Sequence, residues 1–82
     1  MYGIRTYFRI GNACYSVAHY KGRGQDKAIL NSQGNYIGSM SREGQEWKAY
    51  APFSRLSAAP IAHGKTIRQT LARFRRAGGS KA

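Results

Sequence analysis

Acidic residues are scarce in this sequence. Three Asp and Glu stand against 14 Lys and Arg in 82 residues, which gives a formal net charge of +11. Acid–base and nucleophilic mechanisms need paired carboxylate, histidine or thiol groups, and this sequence offers few residues that could form such pairs. We therefore expect a non-enzymatic protein with no metal and no cofactor. The excess of positive charge favours a polyanionic partner, with nucleic acid first and an anionic membrane surface second.

Cysteine is also scarce, since Cys14 is the only one. A single thiol allows neither an intramolecular disulfide nor a cysteine-based zinc cluster, which fits a reducing cytoplasm. The N-terminal residues contain Arg5 and Arg9 and lack the apolar core of a signal peptide. No stretch reaches the roughly 20 apolar residues of a membrane helix. We expect a cytoplasmic protein that does not insert into a membrane.

The length admits one small domain, because a domain usually takes about 100–200 residues. A hydrophobic fraction of 41% and an aromatic fraction of 12% favour folding over disorder. We predict a single α+β domain over residues 1–77 and a flexible basic tail over 78–82.

The clearest local pattern is a β-hairpin at the N-terminus. Two runs rich in β-forming residues, 4–10 and 13–20, are separated by Gly11-Asn12, a typical two-residue hairpin turn. This turn predicts four cross-strand pairs on the apolar face: Ile10 with Ala13, Phe8 with Tyr15, Thr6 with Val17 and Ile4 with His19.

Further strands are predicted in the middle of the chain. Residues 27–31 and 36–41 form a second hairpin, in which Leu30 and Ile37 are expected to share a face. A turn at 42–45 leads into a strand at 46–51, whereas residues 52–64 have no clear period and are predicted to be a connection. The result is an antiparallel meander of four or five strands.

A helix is predicted near the C-terminus. Thr66 and Gln69 have the spacing of a capping box, and Gly78-Gly79 is a typical helix end. Between them Ile67, Leu71 and Phe74 form a narrow apolar stripe. The stripe must be buried against one face of the sheet, which predicts a two-layer α+β domain.

The opposite face of the first hairpin is the leading candidate for a binding site. Cationic and aromatic side chains would lie there together, and the following loop adds two more bases. Such a surface can hold phosphates and stack on bases, and a two-stranded ribbon can also enter a DNA major groove. An ordinary solvated sheet face and a protein or dimer interface are the alternatives. The candidate residues are Arg5, Tyr7, Arg9, Tyr20, Lys21 and Arg23.

A second basic patch lies on the predicted helix, and it comprises Lys65, Arg68, Arg75 and Arg76, together with Arg73. One interpretation is that this patch binds a phosphate backbone. The alternative is an ordinary solvated helix face. Membrane insertion is the weaker idea because the apolar stripe is needed for the core. Since the helix packs on the face opposite Arg5 and Arg9, we expect the two patches on different sides of the domain.

Residues 59–66 formally match a relaxed P-loop, but the first glycine, a preceding hydrophobic strand and a following acid are missing. We therefore reject nucleotide hydrolysis. A weaker hypothesis is kept, in which Gly64, Lys65 and the helix N-terminus bind a single phosphate. His19 is expected to be a core or edge histidine, and His63 a phosphate donor when protonated.

Residues 63–79 resemble the closing strand-to-helix segment of HicA-type ribonuclease toxins. The rest of the chain departs from that family, since no helix precedes the strands and no Gly-Ser-His motif is present. A metal-independent ribonuclease built from Arg, Tyr and His is the third functional hypothesis, because phosphoryl transfer rewards positive charge.

The sequence thus favours a small basic protein that binds DNA or RNA through phosphate-dominated contacts. Its size and charge also suit an accessory protein of a phage or mobile element. The second hypothesis is an inhibitor or adaptor module that docks on an acidic protein or a nucleoprotein complex.

Overall fold

The structure is a computed structural model that describes residues 2–20, 26–52 and 59–78, without the side chains of 2–4 and 20. It shows an α+β fold, in which a six-stranded antiparallel meander in chain order forms a half-barrel against one C-terminal helix. The elements are β1 Tyr2–Ile10, β2 Ala13–Tyr20, β3 Lys27–Leu30, β4 Tyr36–Glu43, β5 Glu46–Tyr50, β6 Ala62–Gly64 and α1 Ile67–Arg76.

The sheet has six strands, where four or five were predicted. The additional strand is β6, which pairs with β5 through Trp47↔Gly64 and Ala49↔Ala62. It lies inside the stretch that was predicted to be a connection. A strand of three residues is too short to show an alternating pattern, so only its pairing with β5 reveals it.

The first hairpin has the predicted register around Gly11, whose φ of +60° suits the turn. The residues of the two strands pair without a break in register from Ile10↔Ala13 to Arg5↔Ala18. The register shifts between Tyr2 and Arg5, so the predicted alternation does not continue to the start of β1. His19 was expected to be a core or edge histidine; it is exposed and pairs with Lys27 of β3, so it is not part of the core.

The β3–β4 turn lies where it was predicted, and the side chain of Asn31 organises it. Its Oδ1 accepts from the backbone N–H groups of Gln33 and Asn35, each at 2.9 Å. The predicted pairing of Leu30 with Ile37 was wrong, because the register shifts after Ile29 and Leu30 pairs with Tyr36. Leu30 therefore joins a small second cluster, whereas Ile37 lies in the main core.

The main core fills the concave face of the half-barrel beneath α1. It combines residues from β2 to β6 with two from the helix: Tyr15, Val17, Ile29, Ile37, Met40, Ala49, Ala62, Leu71 and Phe74. The helix contacts both ends of the sheet, β1 on one side and β5 and β6 on the other. The core therefore holds the two ends of the open sheet around a single helix.

The helix begins with the predicted cap. The Thr66 hydroxyl accepts from the backbone N–H of Gln69 at 3.0 Å, and Gln69 Oε1 accepts from the backbone N–H of Lys65 at 2.8 Å. The predicted stripe is confirmed, with Thr70 as a fourth inward-facing residue whose hydroxyl donates to the Thr66 carbonyl at 2.7 Å. Gly78, with φ +87°, follows the helix end.

Replacement of Gly38 by alanine is expected to destabilise the fold. A Cβ there would lie 2.7 Å from the Tyr50 carbonyl oxygen and 2.8 Å from Phe74 Cζ, so backbone or ring must shift. We expect Gly38→Ala to lower the free energy of unfolding by about 1–3 kcal/mol, the usual cost of overpacking. Urea denaturation measures this loss, with Gln45→Ala in an exposed turn as the control. Equal midpoints for the two variants would show that the helix does not approach β4 this closely.

Replacement of Tyr15 by phenylalanine tests a different feature of the core. The Tyr15 hydroxyl is buried, and it has no hydrogen-bond partner among the described residues. A buried unsatisfied hydroxyl costs about 1–3 kcal/mol, so Tyr15→Phe should leave the protein equally stable or stabilise it by up to that amount. Thermal unfolding followed by circular dichroism provides the measurement. A clear fall in the midpoint would mean that the hydroxyl makes a stabilising hydrogen bond.

Candidate nucleic-acid interface

The three leading candidates on β1 lie together on the outer face of the sheet. Arg5, Tyr7 and Arg9 alternate with Phe8 and Ile10, which pack against the core. All three are exposed, and Tyr7 keeps 73% of its surface accessible. The predicted juxtaposition of a ring with a cation on either side is therefore confirmed for this strand.

Arg68 of α1 reaches the free edge of the same strand. Its Nη1 donates to the Arg9 carbonyl oxygen at 2.9 Å, across 59 positions of sequence. The guanidinium carbon also lies 5.5 Å from the centroid of the Phe8 ring, within the range of a cation–π contact. Two contacts hold this cation beside β1, and its other N–H groups stay available to a ligand.

Arg75 approaches the turn of the first hairpin. A Cβ on Gly11 would lie only 3.1 Å from Arg75 Nη1. Arg68 and Arg75 are seven residues apart, about two helical turns, so both side chains leave α1 on the side of β1. The glycine at this turn thus serves two purposes, since it takes a positive φ and leaves room for the guanidinium.

These contacts bring part of the helix patch to the edge of the strand that carries the first patch. The helix does lie on the face opposite Arg5 and Arg9, but Arg68 and Arg75 extend to the edge and the turn of the first hairpin. We call the resulting set the β1 basic surface, and it comprises Arg5, Tyr7, Arg9, Arg68 and Arg75.

The other candidates on the helix do not join this surface. Arg73 is on the side of β6, where its Nη1 donates to the His63 carbonyl oxygen at 2.8 Å. Arg76 and Lys65 are exposed. The Thr66 and Gln69 side chains already accept two N-terminal N–H groups, so the prediction of a phosphate bound by Gly64, Lys65 and these amides loses support.

The acidic residues of β4 and β5 have cationic partners of their own. Glu43 Oε2 accepts from Lys48 Nζ at 2.9 Å, and the hydrogen bond and charge of Lys48 hold the pKa of the Glu43 carboxyl below its usual value. Glu46 lies 3.4 Å from His63 Nδ1 and forms an ion pair with it when His63 is protonated. The prediction that His63 donates to a phosphate therefore loses support, because its Nδ1 faces a carboxylate.

Three candidates cannot be placed on this surface. Lys21 and Arg23 lie outside the described residues, as does the side chain of Tyr20. Within residues 2–20, 26–52 and 59–78, no three His, Cys, Asp or Glu side chains form a group that could hold a metal ion. The single helix among these residues is too short and too polar to cross a membrane.

Comparison with protein-family models, with curated proteins and with solved structures found no match to this chain. The geometry of the described residues and their chemistry therefore carry the functional argument.

The Glu43–Lys48 pair should have a measurable titration. A lowered pKa means that the pair contributes to stability above the usual carboxyl pKa and loses that contribution as pH falls through the folded-state value. We expect the Glu43 carboxyl to titrate below its usual range by NMR and to return toward it in Lys48→Met. Lys65→Met removes an exposed lysine that does not pair with Glu43 and should leave the midpoint unchanged. An unchanged midpoint in Lys48→Met would contradict the assignment.

Proposed function

We propose that this chain is a small, non-enzymatic nucleic-acid-binding protein, and that the β1 basic surface is where the ligand lies. The observation that carries the proposal is the convergence of four guanidinium groups and one exposed ring on a single strand and its turn. Two of the arginines come from the strand and two from a helix near the other end of the chain.

The distribution of charge supports a polyanion as the ligand. On β4 and β5, Glu43 and Glu46 lie beside Lys48 and His63, whereas no such acid pairs with Arg5 or Arg9 among the described residues. Two of the three acids therefore lie at the end of the sheet away from β1. Phosphate groups that bind beside β1 release condensed counterions, which supplies most of the affinity of such surfaces.

The chemistry of the side chains supports the same ligand. Guanidinium groups donate in a planar fork that matches two phosphate oxygens, and they also stack on bases. A tyrosine that projects between them offers a ring face for stacking. A cytoplasmic location fits this proposal, because the only cysteine, Cys14, is exposed and free.

Removal of the two strand arginines should weaken binding and flatten its dependence on salt. In fluorescence anisotropy with labelled DNA and RNA, the Arg5→Ala/Arg9→Ala variant should lose affinity. The slope of log K against log salt should fall by about 1.4–1.8, since each phosphate contact contributes roughly 0.7 for single strands and 0.9 for duplexes.

A matched control removes the same charge elsewhere. Arg42 donates to the carbonyl of Gly44 in the β4–β5 turn, and Arg76 lies outside the β1 basic surface. The Arg42→Ala/Arg76→Ala variant should therefore keep most of the affinity. Equal losses in the two double variants would mean that net charge, and not this surface, determines binding.

The other functions predicted from the sequence have different outcomes in simple assays. An adaptor would bind neither DNA nor RNA at low salt, and it would purify with an acidic protein after nuclease treatment. A ribonuclease would cut RNA on prolonged incubation with a chelator present. Either result would contradict the proposal.

A further inference from the structure

We infer that the β1 basic surface is built for single-stranded nucleic acid and not for the grooves of a duplex. This inference rests on the proposed function and narrows its ligand. Two features of the structure lead to it: the exposure of Tyr7, and the burial of the residues that lie across from Tyr7 and Arg5 on β2.

Tyr7 is the most exposed large aromatic side chain among the described residues, with 73% of its surface accessible. No contact within the described chain covers its ring, and Arg5 and Arg9 are two positions away on either side. Residues two apart in a strand are separated by about 6.6 Å, so a cation lies on each side of the ring. Bases in a duplex stack on one another, whereas an unpaired base has a free face that a tyrosine can cover.

The neighbouring strand does not supply the side chains that groove recognition needs. Across from Arg9, Tyr7 and Arg5 on the same face, β2 presents Cys14, Ser16 and Ala18. Ser16 and Ala18 are 3% and 0% exposed. A ribbon in the major groove reads base edges with exposed side chains, and two of these three β2 residues are buried.

The β1–β2 hairpin is also not free to enter a groove as a two-stranded ribbon. Its second strand pairs with β3 along its other edge, through Val17↔Ile29 and Ala18↔Ala28. Since Ser16 and Ala18 are buried, Tyr7 is, among the described residues, the ring on this face of the hairpin that an unpaired base can reach and stack on.

The helix arginines fit a strand that runs along the edge of β1. Arg68 is held beside the Arg9 carbonyl, and Arg75 lies over the turn at Gly11. These guanidinium groups lie at the edge and the end of the hairpin, and not on the face that carries Tyr7. They are therefore placed to contact the phosphodiester backbone of a strand whose base stacks on that ring.

The test compares polymers of equal length. Labelled oligo(dT), oligo(rU) and a mixed-sequence DNA duplex are titrated by fluorescence anisotropy at one salt concentration. We expect at least one of the single strands to bind more tightly than the duplex by about fivefold or more, the low end of what one stacked base contributes. The difference between oligo(dT) and oligo(rU) then shows whether the 2′-hydroxyl matters.

Variants of Tyr7 separate stacking from charge. Tyr7→Ala should lose at least about fivefold in affinity for the single strand with no change in the salt slope, whereas Tyr7→Phe should keep the affinity. Tyr50→Ala removes a ring on β5, where its hydroxyl contacts Glu43, and should leave binding unchanged. Circular dichroism of each variant confirms that the fold is retained.

Two results would overturn the inference in different ways. The first result is that the duplex binds as tightly as the single strands or more tightly, that Tyr7→Ala keeps its affinity, and that Arg5→Ala/Arg9→Ala loses affinity. This result would refute the single-strand assignment and leave the proposed function intact. Absence of binding to all three polymers at low salt would overturn both.

Discussion

The ring of Phe74 lies so close to the backbone of β4 that position 38 has no space for a side chain beyond a hydrogen atom. A similar approach occurs at Gly64, where a Cβ would lie 2.9 Å from Thr70 Oγ1. Between them these two glycines set the depth and rotation of α1 in the concave face of the sheet. The position of every other side chain on the helix follows from that placement. Arg68 and Arg75 point toward β1 because Leu71 and Phe74 point into the core.

The separation of charge within the domain follows from the same geometry. The sheet keeps its carboxylates at β4 and β5, where Lys48 and His63 lie within ion-pairing distance. Arg68 and Arg75 of the helix add cations beside β1, at the opposite end of the meander. A chain with an excess of 11 positive charges repels itself, and the two local pairs reduce this repulsion at the β4–β5 end of the sheet. Beside β1, the described residues contain no such pair.

The parts of this structure that could be predicted from sequence are those with local signals. The Gly11-Asn12 turn sets the register of its own hairpin, and the Thr66–Gln69 spacing marks the start of the helix. The alternation along β1 places Arg5, Tyr7 and Arg9 on one face without any tertiary information. The apolar stripe on the helix could be predicted for the same reason. Thr70 was not predicted to face the core, because its hydroxyl is typical of a surface residue.

The parts that could not be predicted depend on contacts between distant residues. The three residues of β6 become a strand only because β5 pairs with them. The irregularity after Ile29 turns Leu30 away from Ile37, and no residue pattern marks it. The contact of Arg68 with Arg9 joins positions 59 apart, and the sequence shows both arginines without showing that they meet. A helical wheel would have placed Arg68 and Arg75 on one flank, but only the packing of α1 shows which strand lies beside it.

The hydrogen bond from Arg68 to the carbonyl of Arg9 also affects how the domain behaves toward copies of itself. In a strand, the N–H and C=O of one residue point to the same side, so this carbonyl belongs to the row that an incoming strand would need. An uncovered edge strand is a template for pairing with another chain, and proteins commonly protect it with charged side chains. Here a guanidinium group already occupies one position of that row, and Arg5 and Arg9 would repel their counterparts on a second copy. At the far end of the sheet, β6 offers only three residues for pairing. The arginines of the β1 basic surface therefore also protect the sheet against edge-to-edge aggregation.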